Sequence, residues 1–201
     1  MGDAGRVIAG TARSIRLEAP GPNTRPLGDR VKQTLFAILE PDLRGARFLD
    51  LFAGSGAAGI EALSRGAAHA TFVERDRAAI GVIESNLART GLRAGGRARI
   101  VRADALTWLR DAARSHEQPF DMAFVDPPYD DETKLRSALA DLPPLVAPNA
   151  RVVAKHFWRT DPPTAIGLLA SERERRLGES ALTFYRRRDP TPKQADNTED
   201  A

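Results

Sequence analysis

Arg47-Phe48-Leu49-Asp50-Leu51-Phe52-Ala53-Gly54-Ser55-Gly56-Ala57-Ala58-Gly59 is the stretch on which the fold turns. The apolar run from Arg47 to Phe52 reads as a buried strand, halted by the tight turn Ala53-Gly54-Ser55-Gly56. Ala57 to Arg65 then reads as a helix stopped by Gly66. Gly54, Gly56 and Gly59 satisfy G-x-G-x-x-G between strand and helix. Residues without side chains let a ligand approach the backbone, and the helix start offers unpaired N–H groups. An acid is expected roughly 20 residues further on, to hold ribose hydroxyls. Glu74 closes the next strand and fills that place.

Outward from this loop, strand-like and helix-like segments alternate. Ala70 to Glu74 reads as a strand, and Asp76 caps a helix carrying Ile80, Ile83 and Leu87, with Gly91 past its end. Ala98–Val101 is a third strand and Ala105–Arg114 a helix. Phe120–Asp126 is a fourth strand, halted by Pro127-Pro128. Asp131–Leu142 is helical and Ala150–Phe157 is a fifth strand. This rhythm predicts a mainly parallel sheet with helices on both faces. Glu172–Leu177 and Ala181–Arg187 flank Gly178-Glu179-Ser180, which predicts an antiparallel hairpin at one sheet edge.

The first 45 residues stand apart. Arg6–Gly10 and Ser14–Glu18 are predicted as two short strands, followed by a proline-rich loop from Pro20 to Pro26. Asp29 opens a helix with Val31, Leu35, Phe36 and Leu39 on one face. The expected divisions are an N-terminal extension at 1–45, an α/β domain at 46–188 and a disordered acidic tail at 189–201.

The chain has 201 residues, with 30 Lys+Arg against 27 Asp+Glu and no cysteine. At roughly 150 residues per domain, that length suits one domain with an appendage. The missing cysteine excludes disulfide scaffolds, thiolate metal sites and a cysteine nucleophile. No apolar run approaches the roughly 20 residues of a membrane span, and the N-terminus has no signal-like stretch, so the cytoplasm is the expected compartment. The net charge of +3 hides an asymmetry: residues 1–48 and 151–188 are basic, whereas 49–150 and the tail are acidic. All but four of the cations are arginine, whose planar fork suits phosphate and base stacking.

No Gly-Lys-Ser/Thr follows the glycine loop, which excludes a phosphate-gripping P-loop. Asp50 would repel a dinucleotide pyrophosphate but attract the amino end of a cationic cofactor. That favours S-adenosyl-L-methionine, with its ammonium, sulfonium and ribose hydroxyls, over NAD. Asp126-Pro127-Pro128-Tyr129 follows the fourth strand, at the edge where open α/β sheets place ligands. Two prolines lock φ, remove two donors and leave carbonyl acceptors. Asp126 and the Pro127 carbonyl can accept both hydrogens of an exocyclic amine while Tyr129 stacks on its ring. The amine's lone pair is then freed to attack a methyl group, and Asp126 can take the departing proton.

Asp50–Gly56 together with Asp126–Tyr129 resembles the Rossmann-like amino-methyltransferases. More narrowly, the chain resembles the RsmD family, the 16S rRNA (guanine(966)-N2)-methyltransferases. Arg6–Gly10, Arg25-Pro26 with Asp29-Arg30-Val31, Leu35-Phe36, Leu63–Ala67 and Asn86-Leu87 fit that family's pattern. The resemblance implies a Rossmann-like class I S-adenosylmethionine-dependent methyltransferase with a seven-stranded mainly parallel sheet, a C-terminal antiparallel hairpin and a small N-terminal hairpin-and-helix extension. It implies that Asp50, Phe52, Ala53, Gly54 and Gly56 line the cofactor pocket, that Glu74 binds the ribose, and that Asp104 and Ala105 flank the adenine. Asp126, Pro127 and Tyr129 would hold the target guanine, Asp126 also touching the cofactor. Arg6, Arg13, Arg25 and Arg30 would hold RNA. The implied partner is 16S rRNA, within a small-subunit assembly particle, for a monomeric enzyme needing no metal. The family pattern is not met at Leu27-Gly28, where threonines are usual, or at Lys155-His156, where a glutamate is common, and neither pair is assigned a role.

His69, His116 and His156 lack metal-ligand spacing and read as ordinary histidines. Trp108 and Trp158 read as packing residues, and Glu61 as structural. Arg186-Arg187-Arg188 is either a solvated strand end or a phosphate contact. Two rival readings use the same residues: a DNA adenine-N6 methyltransferase, whose target also needs flipping or an unpaired base, and a noncatalytic RNA-binding module.

Overall fold

The computed structural model describes residues 2–21, 27–115, 118–128 and 131–188. At the N-terminus, β1 (Gly2–Arg6) pairs antiparallel with β2 (Arg16–Ala19), and α1 (Asp29–Leu43) follows. The central run is β3 (Arg47–Leu51), α2 (Ala57–Ser64), β4 (His69–Glu74), α3 (Arg77–Arg89), β5 (Ala98–Arg102), α4 (Ala105–Arg114) and β6 (Phe120–Val125). The chain then forms α5 (Glu132–Asp141), β7 (Val146–Phe157), β8 (Ala165–Ile166), β9 (Leu169–Leu177) and β10 (Ser180–Arg187).

One sheet runs in the order β5-β4-β3-β6-β7-β10-β9-β8. Its first five strands are parallel, and β10, β9 and β8 continue it antiparallel. The order reverses at β3, so crossovers leave on opposite faces there and open a crevice at the strand ends. Alternation along the strands divides the core. Phe48, Phe72, Phe124 and Val153 face α1, α2, α3 and the N-terminal hairpin. Leu51, Val73, Val125 and Ala154 face α4 and α5. Burial on both faces explains why the central strands read as continuous apolar runs.

Two expectations are corrected. The sheet has eight strands, because β8 adds two residues to the edge, too few to register as a periodic pattern. The N-terminal strands lie at Gly2–Arg6 and Arg16–Ala19 instead of Arg6–Gly10 and Ser14–Glu18. The intervening loop is apolar because it docks on α2. Buried Glu61 accepts from Ile8 N at 2.7 Å and Ala9 N at 3.0 Å. Ser64 Oγ donates to Ala9 O at 2.6 Å and accepts from Ala12 N at 2.9 Å. Gly10, at φ +84°, is forced by this contact, since a Cβ there would sit 1.9 Å from the Ser64 carbonyl.

A second tie runs through the buried amide of Asn86 on α3. Its Oδ1 accepts from Glu18 N at 2.9 Å, and its Nδ2 donates to Glu18 O at 2.9 Å and to Ser55 O at 3.0 Å. One side chain thus joins β2 to the glycine loop.

Candidate active site

The turn after β3 is shaped by backbone conformation. Phe52 (φ 67°), Gly54 (φ 54°) and Gly56 (φ 75°) are left-handed, which folds the chain back into α2. Gly56 caps α2 and packs against Ile83. Gly59 permits close approach of α2 to the sheet, since a Cβ there would lie 2.3 Å from Phe72 Cε1. That approach places Gly59 N 2.9 Å from Asp50 Oδ2. Glu74 holds the loop from the other side, accepting Gly54 N at 2.8 Å on Oε2 and the Arg75 and Asp76 amides at 2.8 Å on Oε1.

A cavity of about 470 Å³ opens at the C-terminal ends of β3, β4 and β6, and its walls include Asp50, Glu74, Asp104 and Asp126. Phe52, Ala53, Gly54, Ala105 and Pro127 also line it, whereas Gly56 lies just outside, at the helix start. Asp104 caps α4, accepting Leu106 N and Thr107 N at 3.1 Å each. Tyr129 and Arg25 lie outside the described residues, as do His116 and the tail at 189–201. Arg6, Arg13 and Arg30 are exposed around the N-terminal hairpin and the start of α1, with Arg6 Nε 3.4 Å from Asp29 Oδ2. Leu27, just before α1, reaches the cavity wall.

Lys155 is the functional side chain that sequence reading left without a role. On β7 it lies on the same face as Val153, and the pairing of Val125 with Ala154 brings it opposite Asp126. Its Nζ donates to both carboxylate oxygens, at 2.8 Å and 3.0 Å. Burial holds the Asp126 carboxyl above its usual range, and the Lys155 ammonium opposes that rise without cancelling it. A lysine near the end of an apolar strand, in a chain with only four lysines against 26 arginines, was the available signal.

The other candidates have structural partners. His156 is buried between Phe157 O at 2.9 Å and Thr183 Oγ1 at 2.8 Å. Trp108 is buried beside Phe120, and Trp158 lies 3.6 Å beneath the Arg176 guanidinium carbon. Arg186 pairs with Glu172 at 2.7 Å, and Arg187 donates to Val146 O. Among the described residues, no group of three or more His, Asp or Glu side chains is placed to hold a metal ion, and no helix is long and apolar enough to cross a membrane.

The donor set fits a cationic, ribose-bearing cofactor. Five carboxylates line the cavity beside the glycine loop, and Asp50 is 2% exposed, a costly charge to bury without a cation nearby. Burial pushes Asp50 up to about 8; the Gly59 N–H opposes this, and the Asp126 and Glu74 charges add to it. Between about pH 4 and about pH 8 the folded chain therefore keeps a proton that the unfolded chain has lost. This group's contribution to stability is full in acid and is lost as pH rises through about 8. Asp50→Asn is expected to flatten that decline in denaturant titrations across the same window. A slope equal to the parent's would contradict the assignment.

Comparison with known proteins places the chain. Residues 5–186 match the family described as Conserved hypothetical protein 95. YlbH of Bacillus subtilis is 39% identical over 186 residues, spanning 91% of this chain and 99% of its own length. Ribosomal RNA small subunit methyltransferase D of Escherichia coli is 46% identical over 125 residues, 62% of this chain and 60% of that protein. The solved structure of yhhF from Escherichia coli is 35% identical and superimposes with a TM-score of 0.78, covering 91% of this chain and 97% of that one. Structures titled as S-adenosylmethionine-dependent methyltransferases share the fold at 14% and 19% identity, which speaks to the fold alone. The eight-stranded α/β sheet is thus that of the Rossmann-like methyltransferases. By its glycine loop, its Asp-Pro-Pro-Tyr turn and a match over nearly its whole length, the chain belongs to the Conserved hypothetical protein 95 family, the RsmD family that its sequence resembles.

Proposed function

We propose that this chain methylates the exocyclic N2 amine of a guanine in small-subunit ribosomal RNA, with S-adenosyl-L-methionine as donor. The observation that carries the reading is the placement of Asp126 and Pro127 on the wall of the carboxylate-lined cavity behind the glycine loop. The name of the Escherichia coli relative supports ribosomal RNA as the substrate. When bound, the cofactor supplies an electrophilic sulfonium methyl group.

The protein's part is orientation and proton handling. Asp50, the Phe52–Gly54 turn and Glu74 hold the amino-acid and ribose parts of the cofactor, and Asp104 with Ala105 borders the adenine. Asp126 and the Pro127 carbonyl accept the amine hydrogens, with Tyr129 stacking on the base. As the nitrogen gains the methyl group it becomes strongly acidic, so even a weak base such as the Asp126 carboxylate can take its proton. Exposed Arg6, Arg13 and Arg30, together with Arg25, bind RNA phosphates, which positions the strand without reading its sequence. The enzyme acts as a monomer in the cytoplasm, on an assembling particle whose target base is unpaired or flipped.

Labelled cofactor and small-subunit particles lacking the modification provide the test. Label should appear at a single guanine N2 in 16S rRNA, and Arg13→Glu with Arg30→Glu should weaken particle binding while reducing its salt dependence. Label on adenine N6 of DNA, or none in RNA, overturns the reading.

A further inference from the structure

We propose that Lys155 makes Asp126 an acceptor-only group and thereby selects guanine over bases that carry a bare ring nitrogen beside their amine. The inference rests on the guanine-N2 reading above and deepens it. One ammonium spans both oxygens of the Asp126 carboxylate, at 2.8 Å and 3.0 Å. The Lys155 side chain is 4% exposed and that of Asp126 20%, so the cation grips from the buried side and the carboxylate keeps its cavity side. Each carboxylate oxygen has two lone pairs, and the lysine leaves one on each for a substrate.

What those lone pairs select follows from hydrogen-bond inventory. An ionised carboxylate only accepts; a protonated carboxyl or an amide offers a donor beside an acceptor. Guanine presents its N1–H next to the N2 amine, two adjacent donors that match two carboxylate oxygens. The second N2 hydrogen is left for the Pro127 carbonyl. Adenine presents a bare N1 next to its amine, and cytosine a bare N3. Against an acceptor-only carboxylate those lone pairs meet lone pairs, and one substrate acceptor goes unsatisfied in a confined site.

Other ionisable groups share the cavity with Asp126. Asp50 from β3 and Glu74 from β4 are acidic, and Lys134 from α5 is the other lysine in the wall. Asp126 and Asp50 repel one another. Without Lys155, burial would push Asp126 further toward its protonated form, in which an acceptor becomes a donor, the pattern that tolerates a bare ring nitrogen. Lys155 is therefore a positioning residue that acts through Asp126.

2-Aminopurine isolates the effect, because it has the same N2 amine beside a bare N1. Particles are reconstituted with 16S rRNA carrying guanine or 2-aminopurine at the nucleotide that the unaltered enzyme methylates. The unaltered enzyme should prefer guanine by about tenfold or more in kcat/KM. Lys155→Met and Asp126→Asn should bring the ratio toward unity, and Lys155→Arg should retain most of it. In parallel, the Asp126 carboxyl carbon is titrated by NMR, assigned through Asp126→Asn; Lys155→Met should move its midpoint to higher pH. A ratio near unity for the unaltered enzyme, an unchanged ratio in Lys155→Met, or an unmoved midpoint overturns the proposal. If no guanine is methylated but the midpoint moves, the guanine reading fails while the control of Asp126 by Lys155 stands.

Discussion

Replacing Asp126 with alanine is expected to slow methyl transfer by about 10³-fold or more while leaving cofactor affinity within a few-fold of the parent's. The size follows from two losses at once. The amine loses the acceptor that holds it, and the departing proton loses its first base. The variant also takes from Lys155, 4% exposed, the carboxylate to which its ammonium donates at 2.8 Å and 3.0 Å. Cofactor affinity should survive because Asp50, Glu74 and Asp104 remain, and Asp126 otherwise repels Asp50. Single-turnover transfer of a labelled methyl group, set beside calorimetric titration with S-adenosylhomocysteine, separates the two effects. Near-normal transfer would remove Asp126 from the chemistry, and equal losses in both would make it a binding residue only.

The second large effect is on stability. Glu61→Ala is expected to cost about 3 kcal/mol or more, because one buried carboxylate serves three donors. Ile8 N and Ala9 N would be left unpaired, and the Arg65 guanidinium, now 2.6 Å from Glu61 Oε1, would lose its buried partner while keeping Glu40. The damage should be directed as well as large. Amide exchange at Ile8 and Ala9 should rise far more than in β6 and β7, because these bonds tie the N-terminal loop to α2. Glu61→Gln, which keeps one acceptor, should fall between the two. A loss below about 1 kcal/mol in Glu61→Ala would show that the loop is held by its apolar contacts instead.

The N-terminal block shows why local pattern was misleading there. Val7-Ile8-Ala9 reads as strand because a short apolar run between charged residues normally packs into a sheet. Here the Ile8 and Ala9 amides donate to Glu61 and the Ala9 carbonyl accepts from Ser64 Oγ, all more than 50 positions away. The strand itself forms four residues earlier, over residues of low β-propensity, held by pairing with β2 and by Lys32 Nζ donating to Arg6 O at 2.5 Å. Glu61 could be read as structural from its helix, but which groups it serves could not.

The central domain was legible for the opposite reason. A buried strand, a glycine turn that needs positive φ and a helix that needs Gly59 for close packing are each specified within a few residues. The carboxylates Asp50, Glu74, Asp104 and Asp126 stand at strand ends, and a parallel sheet delivers strand ends to one edge. The sequence by itself therefore determined the α/β alternation, the ligand-bearing edge and most of the cavity wall. Tertiary structure decided the rest: the lysine set against Asp126, the Asn86 link from β2 to the glycine loop, and the docking of the N-terminal loop on Glu61 and Ser64. Each depends on register or packing between segments far apart in the chain, and on burial that strengthens one polar contact and forbids another. Turn and helix preferences act over a few residues and cannot carry that information.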